Sequence, residues 1–165
     1  MDEKKRAIST TTTGKPPEPG LENAPAPGPI DPATGQHTQY WVLSEGERAK
    51  GFIRPVRRTY VHHGPAGPAN PLRELTPDER EQYGSYGYVM FEAYSGEGSV
   101  TGQFWTQKDL DRAGKGCGVA TTMGVALAET YARDPKYYGA TFCVGCGTHF
   151  PVGEFHWDDG QIVGS

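Results

Sequence analysis

The chain has 165 residues, 35% of them apolar and 22% charged, with a formal net charge of −4. Those values suit one ordinary soluble domain and exclude a general electrostatic pull toward nucleic acid or anionic membrane. No apolar run reaches the length of a membrane span, and Met1 to Arg6 lacks the apolar core of a signal peptide, so a cytosolic place of synthesis and no membrane partner are expected.

Residues 1–38 carry charges, then Ser9 to Thr13, then a Pro/Gly/Ala/Glu mixture from Lys15 to Pro32, with almost no large apolar side chain. Composition of this kind predicts a disordered or extended arm. The folded part is expected to begin at Tyr40-Trp41-Val42-Leu43 and to run as one domain over 39–165. Ser44-Glu45-Gly46-Glu47 has the form of a capping box before a short helix that Gly51 ends. The stretch from Phe52 to His63 is rich in β-formers, and Pro55 places its first half at a sheet edge. Gly64 to Pro71 is loop, and Thr76-Pro77-Asp78-Glu79 starts a second helix that stops at Gly84.

Alternation from Tyr86 to Tyr94 predicts a central strand covered on both faces, followed by a short strand near Thr101 to Trp105 and a capped helical turn from Thr106. Met123, Leu127 and Tyr131 share a helical stripe, giving a main helix over about 122–133 that Asp134-Pro135 terminates. Further strands are expected at Thr141-Phe142 and from Phe150 to Trp157. Asp159-Gly160 would turn the chain into Gln161-Ile162-Val163. The fold class that follows is α+β: a small domain of short antiparallel strands, one main helix and a zinc knuckle, preceded by the extended Pro/Gly-rich arm.

The knuckle is Cys143-Val144-Gly145-Cys146-Gly147, where two thiolates stand at the spacing that grips one metal ion. Zinc completes a tetrahedron with cysteine and histidine, so Cys117 is the third ligand and His62 the fourth, ahead of His63. His149 and His156 complete the supply, but the turn after the knuckle strains a ligand only three residues beyond Cys146. A closed set of this kind assigns the zinc a structural role and leaves no catalytic residue. A redox pair at Cys143 and Cys146 would need a helix N-terminus, which Gly147, Pro151 and Gly153 prevent. Glu154 beside the knuckle raises the question of zinc catalysis, yet no recognised order of ligands and acid fits, and alternation with Phe155 and Trp157 puts Glu154 on the solvent side of a strand. Arg54, Arg57 and Arg58, with Tyr60, His62 and His63, form the one basic and aromatic stretch and the candidate nucleic-acid contact. Gly114-Lys115-Gly116 lacks the Lys-Ser/Thr ending of a phosphate loop.

Four stretches, Trp41 to Glu45, Gly51 to Arg57, Gly102 to Thr106 and Ala126 to Pro135, together resemble a group of small, functionally uncharacterised proteins of tailed bacteriophages and prophages. The resemblance covers about residues 40–165. It implies a setting rather than a reaction: a virion component, or a protein made in the cytoplasm of the host cell during infection. The expectation is a non-enzymatic structural or interaction protein, joined to a protein partner or larger assembly through residues 1–38. A nucleic-acid-binding zinc module, a host-directed inhibitor and a small zinc enzyme are the alternatives.

Overall fold

Glycine and proline punctuate the sequence so often that no element can be long, and the longest helix has nine residues. The computed structural model describes all residues 1–165. In chain order the elements are α1 (Glu3–Ala7), β1 (Ser9–Thr11), β2 (Trp41–Leu43), α2 (Glu45–Arg48), β3 (Thr59–His62), β4 (Leu72–Glu74), α3 (Pro77–Tyr83), β5 (Val89–Phe91), β6 (Phe104–Trp105), α4 (Gln107–Arg112), β7 (Ala120–Thr122), α5 (Val125–Arg133), β8 (Ala140–Cys143), β9 (Thr148–Pro151) and β10 (Phe155–Trp157). The class is α+β with several small antiparallel sheets.

The chain divides into two units, one made of Met1–His63 with Cys117–Ser165 and the other of Gly64–Gly116. The second is thus an insertion in the sequence of the first, and the division does not fall at residue 38. In the inserted unit β5 lies between β4 and β6, and Thr76 starts α3 with a complete capping box. The expected long strand from Tyr86 shrinks to Val89–Phe91, and Tyr86 and Tyr88 are exposed rather than covered. Pro65 O accepts from Gly114 N at 2.8 Å, closing the two ends of the unit on each other.

In the larger unit β3 is the middle strand of the sheet β10-β3-β7, with Phe155 opposite His62 and Tyr60 opposite both Trp157 and Thr121. The strand is shorter than the β-forming stretch because Ile53 and Arg54 donate their amides to Ala132 O, near the end of α5, at 2.9 and 3.0 Å. Pro55 has no amide to offer a ladder. Tyr60, Met123, Ala128, Tyr131, Cys143, Phe155, Trp157 and Val163 form the main core. The main helix starts at Val125, not 122, because Ala120–Thr122 pair with β3.

Residues 1–38 are not a disordered arm. β1 pairs antiparallel with β2, and Met1 packs on the cluster of Trp41, Leu43 and Tyr137. Lys5 Nζ donates to Tyr137 O and lies 4.0 Å from the centre of that ring. Trp41 Nε1 donates to Ala24 O at 3.1 Å, and Gln39 Nε2 to Pro16 O at 3.2 Å. Low hydrophobicity misleads here because the segment supplies hydrogen-bond partners and a strand to aromatic residues that lie elsewhere in the chain, so its ordering is offset by contacts that its own composition does not contain. Deleting residues 1–38 should therefore lower the thermal midpoint and broaden the transition in calorimetry, whereas a dispensable arm would leave both unchanged.

A single hydroxyl ties β2 to α5. Thr130 Oγ1 accepts from Leu43 N at 3.1 Å and donates to Ala126 O at 2.7 Å, and Thr130 is completely buried. Thr130→Val keeps the shape and orphans the Leu43 amide, so it should cost about 1–3 kcal/mol in urea unfolding.

Candidate metal centre

Three separate segments of the larger unit bring one sulfur or nitrogen each, and the knuckle brings a second. His62 ends β3, Cys117 lies in the loop before β7, Cys143 ends β8, and Cys146 sits in the turn between β8 and β9. Their ligand atoms all lie within 4.8 Å of one another. Cys117 Sγ is 3.3 Å from Cys143 Sγ, and Cys146 Sγ is 3.5 Å from His62 Nδ1. A tetrahedral zinc with bonds of about 2.3 Å to sulfur and about 2.0 Å to nitrogen has edges of about 3.8 Å between sulfurs and about 3.5 Å between sulfur and nitrogen. The sulfur–nitrogen separation equals that edge and the sulfur–sulfur one is about 0.5 Å shorter, and the donor set of three thiols and one imidazole is compatible with zinc.

Local structure explains each placement. β8 and β9 form a hairpin in which Cys143 pairs with Thr148, and Gly147 N donates to Cys143 O at 2.8 Å to close the knuckle. Val144 N donates to Thr121 Oγ1 at 3.0 Å, which ties the knuckle to β7. Gly118 N donates to His62 O at 3.0 Å, so the Cys117 loop runs beside the end of β3. Gly145 allows the closest approach: a Cβ there would stand 2.8 Å from Val119 Cβ and 2.9 Å from Cys117 Sγ. The N-terminal segment reaches the same turn. A Cβ on Gly35 would fall 2.0 Å from Gly147 O, and the φ of +81° at Gly35 already favours glycine.

His62 is the most tightly held ligand. It is 4% exposed, and its ring packs against Phe150, with centroids 4.4 Å apart, and against Phe155, at 4.8 Å. Nε2 is 3.0 Å from Glu154 Oε1. A carboxylate accepts, so Nε2 carries the proton and the Nδ1 lone pair faces the cysteines, the tautomer a metal requires. Glu154 corrects the sequence expectation most directly, being 8% exposed rather than on the solvent side of a strand. The 3-10 turn Val152–Glu154 interrupts the alternation from which its direction was read, and His63 N then takes Glu154 O at 2.9 Å. Phe155 opposite His62 in the sheet is what delivers the neighbouring carboxylate.

Electrostatics favour a cation at this point. The Val119 amide, donating to Cys117 Sγ at 3.5 Å, helps hold that thiol down at about 7, while desolvation and then the neighbouring thiols push Cys146 up to about 12. Three thiols this close resist ionising together, and a bound metal removes the conflict by taking all three as thiolates.

The remaining candidates have other partners. His149 Nε2 is 2.8 Å from Tyr40 OH, and its ring is 5.1 Å from that of His37. His63 stacks on His156 with centroids 4.3 Å apart. Arg57 is buried, with NH1 on Asp159 and Gln161 at 3.0 Å each and its guanidinium 4.9 Å from the centre of the Trp157 ring. Arg58 Nε donates to Met123 O and Arg54 Nε to Ser165 O. The shared face of Tyr60 and His62 is a core face, since both are buried. No helix is long and apolar enough to cross a membrane.

Glu154→Gln should weaken metal affinity about 10–100-fold, as loss of a carboxylate behind a ligating histidine does, measured by competition with a chromophoric chelator. Gly145→Ala removes no ligand yet should also weaken it, because its Cβ would crowd Cys117 Sγ and Val119 and the knuckle and the Cys117 loop must part. No family model, curated protein or solved structure matches the chain.

Proposed function

We propose that this is a non-enzymatic, zinc-stabilised structural or interaction protein of tailed-phage type. The observation that supports a structural zinc is the donor set itself: three thiols and one imidazole lie within 4.8 Å of one another, and together they would fill the four positions of a closed tetrahedral site. Glu154 supports the same reading, since its contact with His62 Nε2 uses it to orient a ligand rather than to move protons. The phage setting rests on the resemblance of residues 40–165 alone, and residence in the virion or the host cytoplasm goes with it.

An interaction role is supported by the loop after α2, where Phe52, Ile53 and Val56 are exposed. Attachment through a free arm is no part of this reading, because residues 1–38 pack within the larger unit. The nucleic-acid alternative is disfavoured by the internal partners of Arg54, Arg57 and Arg58.

Native mass spectrometry of protein purified without chelator or affinity metal tests the proposal. The expected spectrum shows one zinc per chain and reports the subunit number together with it. Cys117→Ser should lose roughly 60- to 700-fold in affinity, since a quarter of the about 10–16 kcal/mol that a structural zinc site supplies is about 2.5–4 kcal/mol. A folded protein that never carries metal would overturn the reading.

A further inference from the structure

We propose that the metal centre is a peroxide-sensitive thiol switch in which Cys117 and Cys143 join as a disulfide and the zinc is expelled. The inference rests on the zinc reading above and adds regulation to it. Its basis is the unequal setting of the three sulfurs. Cys117 and Cys146 are exposed, whereas Cys143 is completely buried. Cys117 lies between Gly116 and Gly118 in a loop, and Gly118 has a φ of +71°. Cys146 is instead held in the hairpin turn with its sulfur against His62 Nδ1. Cys117 is thus an exposed sulfur in a glycine-flanked loop that also stands 3.3 Å from the buried Cys143 Sγ.

The chemistry balances with a peroxide as oxidant. The Cys117 sulfur attacks one peroxide oxygen, the O–O bond breaks, and hydroxide leaves and takes a proton to become water, giving a sulfenic acid. Cys143 Sγ, 3.3 Å away, attacks that sulfur; the S–S bond forms, the S–O bond breaks, and a second hydroxide leaves as water after protonation. Two thiolates lose two electrons, one hydrogen peroxide becomes two waters, and the zinc departs unchanged as a divalent ion. A disulfide is about 2.05 Å long, so the sulfurs need close only a little over 1 Å. Burial protects Cys143 from direct attack without removing it from reach of Cys117.

The consequence is directional. Oxidation uses two of the four ligands and leaves only Cys146 and His62, too few to retain zinc. His62 and Cys117 also flank the inserted unit in the sequence, which spans Gly64–Gly116. In the reduced state both sides are tied to one ion. In the oxidised state Cys117 is tied covalently to β8 and the His62 side loses its metal link.

The test uses the full chain, reduced and loaded with zinc, with the metal counted first by native mass spectrometry. Hydrogen peroxide in small excess should release about one zinc per chain to a chromophoric chelator and remove about 2 Da from the protein. Cleavage after Lys115 and Lys136 separates Cys117 from the other two cysteines, and tandem mass spectrometry should place the link on Cys143 rather than Cys146. Reductant with zinc should restore the starting mass. Cys146→Ser retains both reacting sulfurs and should still form the link. Zinc present but retained through oxidation, a Cys143 to Cys146 link, or sulfinic acid without any link would each overturn the switch and leave the zinc reading standing. A reduced protein without zinc would overturn both.

Discussion

Everything around the centre depends on where His62 points. Its ring packs against both Phe150 and Phe155, its Nε2 stands 3.0 Å from Glu154 Oε1, and its Nδ1 lies 3.5 Å from Cys146 Sγ. A buried imidazole with one nitrogen on a carboxylate holds its tautomer and its rotamer together. The middle strand β3 carries that ring into the core, β10 pairs with it to bring Phe155 and the adjacent Glu154, and the β8–β9 hairpin brings the knuckle and Phe150. Three elements remote in sequence are therefore fitted around one side chain.

The metal site and the aromatic core are two sides of the same construction. Cys143 belongs to the core cluster with Tyr60, Phe155 and Trp157, while its sulfur faces Cys117. Tyr60 OH donates to Phe142 O, just before the knuckle, and Thr141 Oγ1 donates to Tyr60 OH at 3.2 Å. A small glycine-rich domain has a limited core, and a metal held by these four residues would add folding free energy at the exposed Cys117 loop. The same arrangement places His62 and Cys117 just outside the two ends of the inserted unit in the sequence.

The N-terminal segment shows how little composition says about ordering when the partners are distant. Its prolines and glycines cannot form a core of their own, yet Thr38 N donates to Pro29 O and Glu18 N to Pro27 O, and Pro27 is completely buried. Polar backbone groups stripped from water must be paired, and here the pairing partners are supplied within the segment and by Trp41, Gln39 and Tyr137. Gly35 against Gly147 extends that packing to the metal knuckle itself.

Spacing and residue type pointed to Cys143 and Cys146 as a knuckle with Cys117 as a partner, and to Thr76 and Ser44 as helix starts, but left His62, His63 and His149 open as the fourth residue, which the structure brings as His62. The knuckle and the helix starts are local facts, set by turn geometry, capping and the chemistry of soft ligands. That the strands would be mostly short was legible from the frequent glycine and proline, although Tyr86–Tyr94 read as a longer strand than the Val89–Phe91 that forms. Only the tertiary structure decided the burial of Glu154, since a 3-10 turn breaks the period from which its direction is read. It alone decided that Arg57 serves the core, because Asp159 and Trp157 reach it only through the sheet. It also decided the order of residues 1–38 and the inserted unit between His62 and Cys117. In each case the deciding contact joins residues far apart in the chain, and a pattern read along the chain carries no term for it.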